Sequence, residues 1–152
     1  MLHTFKYKGF QRRLTWSLGY LFYSILKQVK GQPDMLIPIP LHKNRQKQRG
    51  FNQARTFLNY YCAVDGKIPI YNHLVSRILD TEKQALALNS HERILNISGA
   101  FMVKYPHYIK NKHIIIVDDV ITTGATANEL AKVLKLHGAS QVDLCVLLCV
   151  KK

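Results

Sequence analysis

Between Ile114 and Thr126 the chain reads IIIVDDVITTGAT. Two adjacent carboxylates, Asp118 and Asp119, stand just before a small, hydroxyl-rich loop of Thr122, Thr123, Gly124, Ala125 and Thr126. A helix that starts after such a loop carries unpaired N–H groups and the positive end of its peptide dipole, so an anion is favoured there. Gly124 lets the backbone come close to that anion, and the threonine hydroxyls can donate to phosphate oxygens. The two acids repel phosphate. They can instead accept from sugar hydroxyls or hold a hydrated Mg²⁺ shared with the phosphates. A site with both features suits a sugar phosphate. Two plainer readings use the same residues: an Asp-Asp turn after a strand, and a capping box of Thr126 with Glu129. The other common phosphate motifs, G-x-x-x-x-G-K-[ST] and G-x-G-x-x-G, do not occur.

The elements that must position these groups follow from hydrophobic spacing. Ile114, Ile115, Ile116 and Val117 form a short β-branched run without alternation, which suits a strand buried on both faces. Beyond the loop, Ala127, Leu130, Ala131, Val133, Leu134 and His137 mark one helical face, and Gly138 is placed to end that helix in a left-handed turn. Upstream, Met35, Leu36, Ile37 and Ile39 make another buried strand, stopped by Pro38 and Pro40. The chain then turns near Leu41 into a basic segment with His42, Lys43, Arg45, Lys47, Arg49 and Arg55. Read as an extended loop, this segment puts alternate cations on one side, where a string of phosphates could lie. Phe51, Ala54, Phe57, Leu58 and Tyr61 continue as an amphipathic helix.

Residues 75–79 and 101–105 read as short strands, 80–89 as a polar connection, and 106–111 as a turn. Asn89 and Glu92 fit a capping box for a short helix to Ile97. Residues 142–150 form a last buried strand. Near the start, Phe5, Tyr7 and Phe10 alternate with Lys6, Lys8, Arg12 and Arg13, a pattern that stacks bases or simply leads into a helix. That helix shows a stripe of Leu14, Leu18, Leu21, Ile25 and Val29, closed by Gly31 and Pro33, with Trp16, Tyr20 and Tyr23 off it. The order predicts one α/β domain over 1–152, with a Rossmann-like parallel sheet flanked by helices. Residues 34–150 form its core and 1–30 a very small N-terminal hood.

Twenty-two basic residues against nine acidic give a net charge of +13, a field that attracts a sugar pyrophosphate or nucleic acid. No apolar run reaches the roughly 18–20 residues of a membrane span, and the apolar stretch 18–26 lacks a small-residue cleavage site. The three cysteines form no C-x-x-C pair, which suits a reducing cytoplasm with the thiols as small core residues. The seven histidines show no zinc-ligand spacing.

The Ile114–Thr126 segment resembles the signature of type I phosphoribosyltransferases. The resemblance implies that residues Thr122 to Thr126 hold the 5′-phosphate of phosphoribosyl pyrophosphate (PRPP), while Asp118 and Asp119 meet the ribose hydroxyls, with Mg²⁺ bound indirectly through water or PRPP. PIPL followed by a basic stretch and RGFNQA resembles the ComF subgroup. KYKG near the start, Arg77, Thr81 and Gln84, and His91, Glu92, Arg93 and Asn96 match it too, as do Ala100 and Phe101. The four-cysteine zinc ribbon with which such proteins often begin is absent from this sequence.

By position in that fold, Leu41, His42 and Lys43 would contact pyrophosphate. A flexible loop would bring Arg77 and Lys83 as catalytic cations beside Asp118 and Asp119, with Thr81 and Gln84 as neutral donors. The implied reaction is pentosyl transfer from PRPP with release of pyrophosphate, and the ComF likeness adds a link to DNA uptake and its machinery. The alternative is a PRPP-binding module without catalysis, acting as a PRPP sensor or holding single-stranded DNA on Lys43, Arg45, Lys47, Arg49 and Phe51.

Overall fold

The run from Ile114 to Val117 becomes the middle of the central strand because each of its side chains is enclosed, 0–1% exposed, and successive residues face opposite sides. The computed structural model describes residues 17, 19–49, 52–80 and 98–150. Its elements are helix α1 (19–26), strand β1 (Met35–Pro38), helices α2 (Lys43–Arg49) and α3 (Gln53–Val64), and strands β2 (Val75–Arg77) and β3 (Phe101–Val103). A 3₁₀ turn at Pro106–Tyr108, strand β4 (His113–Ile121), helix α4 (Ala125–Leu136) and strand β5 (Gln141–Cys149) follow.

Strand β4 pairs in parallel with β1 on one side and β5 on the other. Outside β1, Ile70 adds a parallel bridge to Leu36. Ile114 and Ile116 pack with Met35, Ile37, Ile39 and, from α4, Ala127, Leu130 and Leu134. Ile115 and Val117 pack on the other face with Phe22 and Leu26 of α1, Leu58 and Tyr61 of α3, and Cys145. The parallel α/β architecture is therefore the expected one. The two short strands β2 and β3 stay out of that sheet. They form an antiparallel ribbon, Val75↔Val103 to Arg77↔Phe101, whose Phe101 joins the α4 face of the core.

The amino-terminal end of the sheet is tied by charge. Asp34 accepts from the His113 N–H at 2.8 Å and from Lys112 Nζ at 2.9 Å, and these bonds hold its carboxyl below the usual range, the backbone bond most of all. His113 Nε2 lies 2.6 Å from Asp143 Oδ2, joining β4 to β5.

Four local expectations change. The last strand, β5, is not buried: Cys145 is its one buried residue, and Leu144 and Leu148 are exposed. Residues 43–49 are helical and not an extended loop, because KNRQKQR holds no glycine, proline or β-branched residue and is rich in good helix formers. At about 100° per residue Lys43 and Lys47 share a face and Arg45 lies away from it, so the cations make no single-sided row. In α1 the buried apolar side chains are Phe22 and Leu26, while Leu21 is 47% exposed. The helix ends at residue 26, and a tighter turn follows (Gln28 N–H to Ile25 O, Val29 N–H to Leu26 O), with Ile25 and Val29 packed half-buried against the same cluster. Of the cysteines only Cys145 is core, with its thiol pushed up to about 12 by burial. Cys62 and Cys149 are exposed, on the outside of α3 and at the last residue of β5.

Phe51, the 81–97 segment with Thr81, Lys83, Gln84, Asn89 and Glu92, and the N-terminal aromatics through Trp16 lie outside the described residues. Truncation in the centre of the sheet tests the architecture. Ile116→Ala should cost roughly 2–5 kcal/mol, lost transfer energy plus a cavity between two packed layers, read as a lower urea midpoint at unchanged slope.

Candidate functional site

Burial ends at Val117, and the next two residues are carboxylates. Asp118 and Asp119 are half-buried at the carboxyl end of β4. The Asp119 N–H donates to Asp118 Oδ1 at 2.9 Å, and the Val120 N–H donates to Asp119 Oδ1 at 2.9 Å. Desolvation, followed by a hydrogen bond with the Asp119 carboxyl, pushes the Asp118 pKa up to about 7 against the pull of the Asp119 N–H and of Arg77. Asp118 is thus held where its charge is costly. A partner that brings donors or positive charge to this spot relieves that cost.

Arg77 reaches the pair from a distant part of the chain. It is the last residue of β2, 6% exposed, with its guanidinium carbon 5.8 Å from the centre of the Phe101 ring on the paired strand. The ring fixes the guanidinium and shields it from water, so its charge acts on Asp118 more strongly than an exposed one would.

The loop after β4 is short. Gly124 has φ +75°, a left-handed backbone that favours glycine. It is also the residue that caps α4, and no side chain caps the helix. Thr126 lies inside the first turn, so the capping box with Glu129 does not form. Glu129 Oε1 instead accepts from the Gly99 N–H at 2.8 Å. Thr123 Oγ1 makes a long contact, 3.4 Å, with the Ala125 N–H. A twelve-residue helix therefore points an amino-terminal end without a strong side-chain cap at the space beyond the sheet.

The turn after β1 joins the site through backbone pairing. The Ile39 N–H donates to Val117 O at 2.9 Å, and Asn52 Nδ2 donates to Ile39 O at 3.0 Å. Pro38 lies opposite Val117, so the residues after it run beside Asp118. Here His42 Nδ1 is 3.2 Å from Asp80 Oδ2, and Asn44 Nδ2 is 3.3 Å from the same oxygen. Asp80, Asn44 and Asn52 were not singled out from the sequence. Only Asn52 left a local signal, as the N-cap of α3, accepting from the Arg55 N–H at 3.4 Å. The structure brings Asp118, Asp119 and Arg77 to one place and sets the 39–43 turn beside them. Lys43 and Lys47 are exposed along α2.

A family model described as "Phosphoribosyl transferase domain" matches residues 71–152. The chain belongs to that family. Competence protein F of Haemophilus influenzae is 30% identical over 154 residues, which is 95% of this chain and 64% of that protein. DNA utilization protein YhgH of Escherichia coli O6:H1 is 33% identical over 117 residues, 74% of this chain and 48% of its own length. Competence protein ComFC of Bacillus subtilis is 35% identical over 104 residues, 68% of this chain and 39% of that protein. The chain spans between about half and two-thirds of the first two relatives. Among solved structures, the glutamine PRPP amidotransferase of Bacillus subtilis superposes with a TM-score of 0.54 at 15% identity, covering 87% of this chain and 25% of that one. That likeness fixes the fold.

A phosphoribosyltransferase domain with a strained carboxylate has a measurable signature. Because the Asp118 pKa is raised on folding, the native state binds more protons than the unfolded chain between about pH 4 and 7, so this group lowers stability as pH rises through that window. Asp118→Asn should therefore stabilise the protein at pH 8, by an amount on the order of 1–4 kcal/mol, and change little at pH 4. Urea unfolding of both proteins at the two pH values checks this.

Proposed function

We propose that this domain binds PRPP at the carboxyl ends of β4 and β1 and transfers its ribose 5-phosphate group to an acceptor with release of pyrophosphate, in the service of DNA uptake. The observation that carries this reading is the juxtaposition at the end of the central strand. A crowded carboxylate pair stands directly before a glycine-started helix without a strong side-chain cap, and a shielded arginine lies beside the pair. The 5′-phosphate takes the amides and hydroxyls of residues 122–126. Asp118 and Asp119 accept from the ribose 2′- and 3′-hydroxyls, which adds donors to the single Asp119 N–H that Asp118 has. Pyrophosphate meets the 41–43 turn, where Lys43 provides positive charge and His42 a ring nitrogen for hydrogen bonding.

The C1–oxygen bond to pyrophosphate breaks and the bond from C1 to the acceptor forms, through an oxocarbenium-like state. Catalysis comes from fixing C1 between the two anion sites and from charge stabilisation of the leaving group, to which Arg77 contributes. Two hard, adjacent carboxylates suit Mg²⁺ held through water or through the ribose hydroxyls. When bound, the ion neutralises the pyrophosphate. None of the described helices is long and apolar enough to cross a membrane, and we place this chemistry in the cytoplasm, where PRPP is made.

A second reading rests on the net charge of +13, which attracts a polyanion whether or not turnover occurs. In it the domain binds PRPP as an effector and single-stranded DNA as cargo. A melting-temperature increase with PRPP and Mg²⁺ is expected under both readings, and Asp118→Asn/Asp119→Asn should abolish it. Pyrophosphate release across a panel of bases, amines and nucleotides separates them: none from any acceptor, with the thermal shift intact, selects the effector reading. If PRPP leaves the melting temperature unchanged in the parent protein, the site is wrong.

Asp80 supplies a finer test. Its carboxylate already occupies His42 and Asn44, so an incoming anion at that turn must displace it. Asp80→Asn keeps the size and removes the charge, and it should tighten pyrophosphate binding severalfold by calorimetry. Weaker binding in the variant would show that Asp80 only holds the turn in place.

A further inference from the structure

Strand β5 bounds the sheet on one side, and among the described residues nothing pairs with its outer edge. It is nine residues long, and its register to β4 is constant from Gln141 to Cys149, so no bulge twists the edge away. It holds no proline and no lysine, and Asp143 is its one charge. Edge strands of folded proteins are commonly short, bulged, or marked by proline or lysine, because a row of open N–H and C=O groups otherwise pairs with another chain. β5 has none of these protections.

Its side chains and charges say what could pair there. Val142 packs on the α4 side of the core, and Cys145 and Leu147 on the α1–α3 side, so the even-numbered residues share the α4 side. On that side Leu144 is 40% and Leu148 54% exposed, and Val120, next to Leu148 on β4, is 40% exposed. Residues 136–150 contain no lysine or arginine in a chain of net charge +13, so two such chains can approach here with little repulsion. Charge also sets the direction. Asp143 lies near the start of the strand, and Lys151 and Lys152 follow its end in sequence. An antiparallel copy brings each acid toward the other chain's lysines, whereas a parallel copy sets acid beside acid. Asp143 is bound to His113 at 2.6 Å yet keeps 38% of its side chain exposed.

We propose that β5 pairs antiparallel with β5 of a second copy of this chain, joining the two sheets into one about a two-fold axis. An axis perpendicular to the sheet turns the α4 side of both copies the same way. With Leu147 at the axis, Leu144 of one copy stands opposite Val150 of the other, and Val146 opposite Leu148. The cross-strand pairs on the exposed face are then all apolar, and the unlike charges meet at both ends. Such an interface uses the same patch twice and closes at two copies. Asp118 lies beside Val146 in the sheet, so each copy's carboxylates sit two strand spacings, about 10 Å, from the other copy's β5. The inference does not rest on the PRPP reading.

Sedimentation velocity of the full chain, from about 2 to 100 µM, tests it. At the upper concentrations the expected mass is twice the 17.5 kDa of one chain. Leu144→Lys/Leu148→Lys should weaken dimerisation at least about tenfold, because each new charge would lose water at the interface. Tyr20→Lys, at a side chain 63% exposed on α1, should leave it within about twofold. Lys151→Glu/Lys152→Glu should weaken it about threefold at low salt and by less at high salt, where like-charge repulsion is screened. These lysines follow the last strand, so that variant carries the test even if the leucine variant folds poorly. A monomer at the highest concentration would overturn the proposal. Slow hydrogen exchange along β5 in that monomer would mark a cover from within the chain. A dimer of parent strength in the folded leucine variant, or in the lysine variant at low salt, would place the interface elsewhere and overturn it as well.

Discussion

Strand β4 is enclosed on both faces by apolar side chains, and it stops being enclosed at the residue where its carboxylates begin. Val117 is fully buried, while Asp118 retains enough burial for its pKa to rise to about 7. Everything functional in the domain depends on that boundary. A shorter apolar run would let water reach both acids and remove their tension. A longer one would neutralise them. The core around Ile114, Ile115, Ile116 and Val117 supplies the stability that lets two like charges sit side by side, the usual exchange between a packed scaffold and a strained site.

The remaining parts of the site are hung on the same strand by backbone bonds. Ile39 donates to Val117 O, and Val150 donates to Ile121 O, so the segments after β1 and β5 are set against the end of β4 before any side chain is considered. Side chains then refine the placement: Asn52 fixes the 39–40 turn, and Glu129 ties α4 to Gly99, just before β3. The ribbon brings Arg77 to the same place from outside the sheet. Its short antiparallel pairing carries an arginine at one end and leads to a set of tyrosines beyond the other.

Helix α2 shows why charge patterning misleads when secondary structure is assigned from it. Alternating cations invite an extended reading, since alternation places side chains on one side of a strand. Lysine, arginine and glutamine nonetheless favour a helix in the absence of a breaker, and the helix divides the same cations between two faces. The phase of α1 is shifted more than lost. Phe22 and Leu26 take the interior, Ile25 and Val29 of the expected stripe pack half-buried beside them, and Leu21 is left exposed.

The residues at 114–138 carried their own instructions. A β-branched run, two acids, a glycine with positive φ and an i, i+3, i+4 apolar face are all encoded within a few positions of one another. The strand, the start of α4 and its left-handed end at Gly138 could therefore be read directly from the chain. The parallel sheet followed from the order of such units. The tertiary structure alone decided which acid is strained, that Arg77 is shielded by Phe101, that Asp80 holds His42 and Asn44, and that Glu129 leaves Thr126 for Gly99. Each of these pairs joins chain segments 24 to 38 residues apart, apart from the neighbouring acids themselves. Their energies depend on burial and distance set by the packed core, quantities that no local pattern of residue types contains.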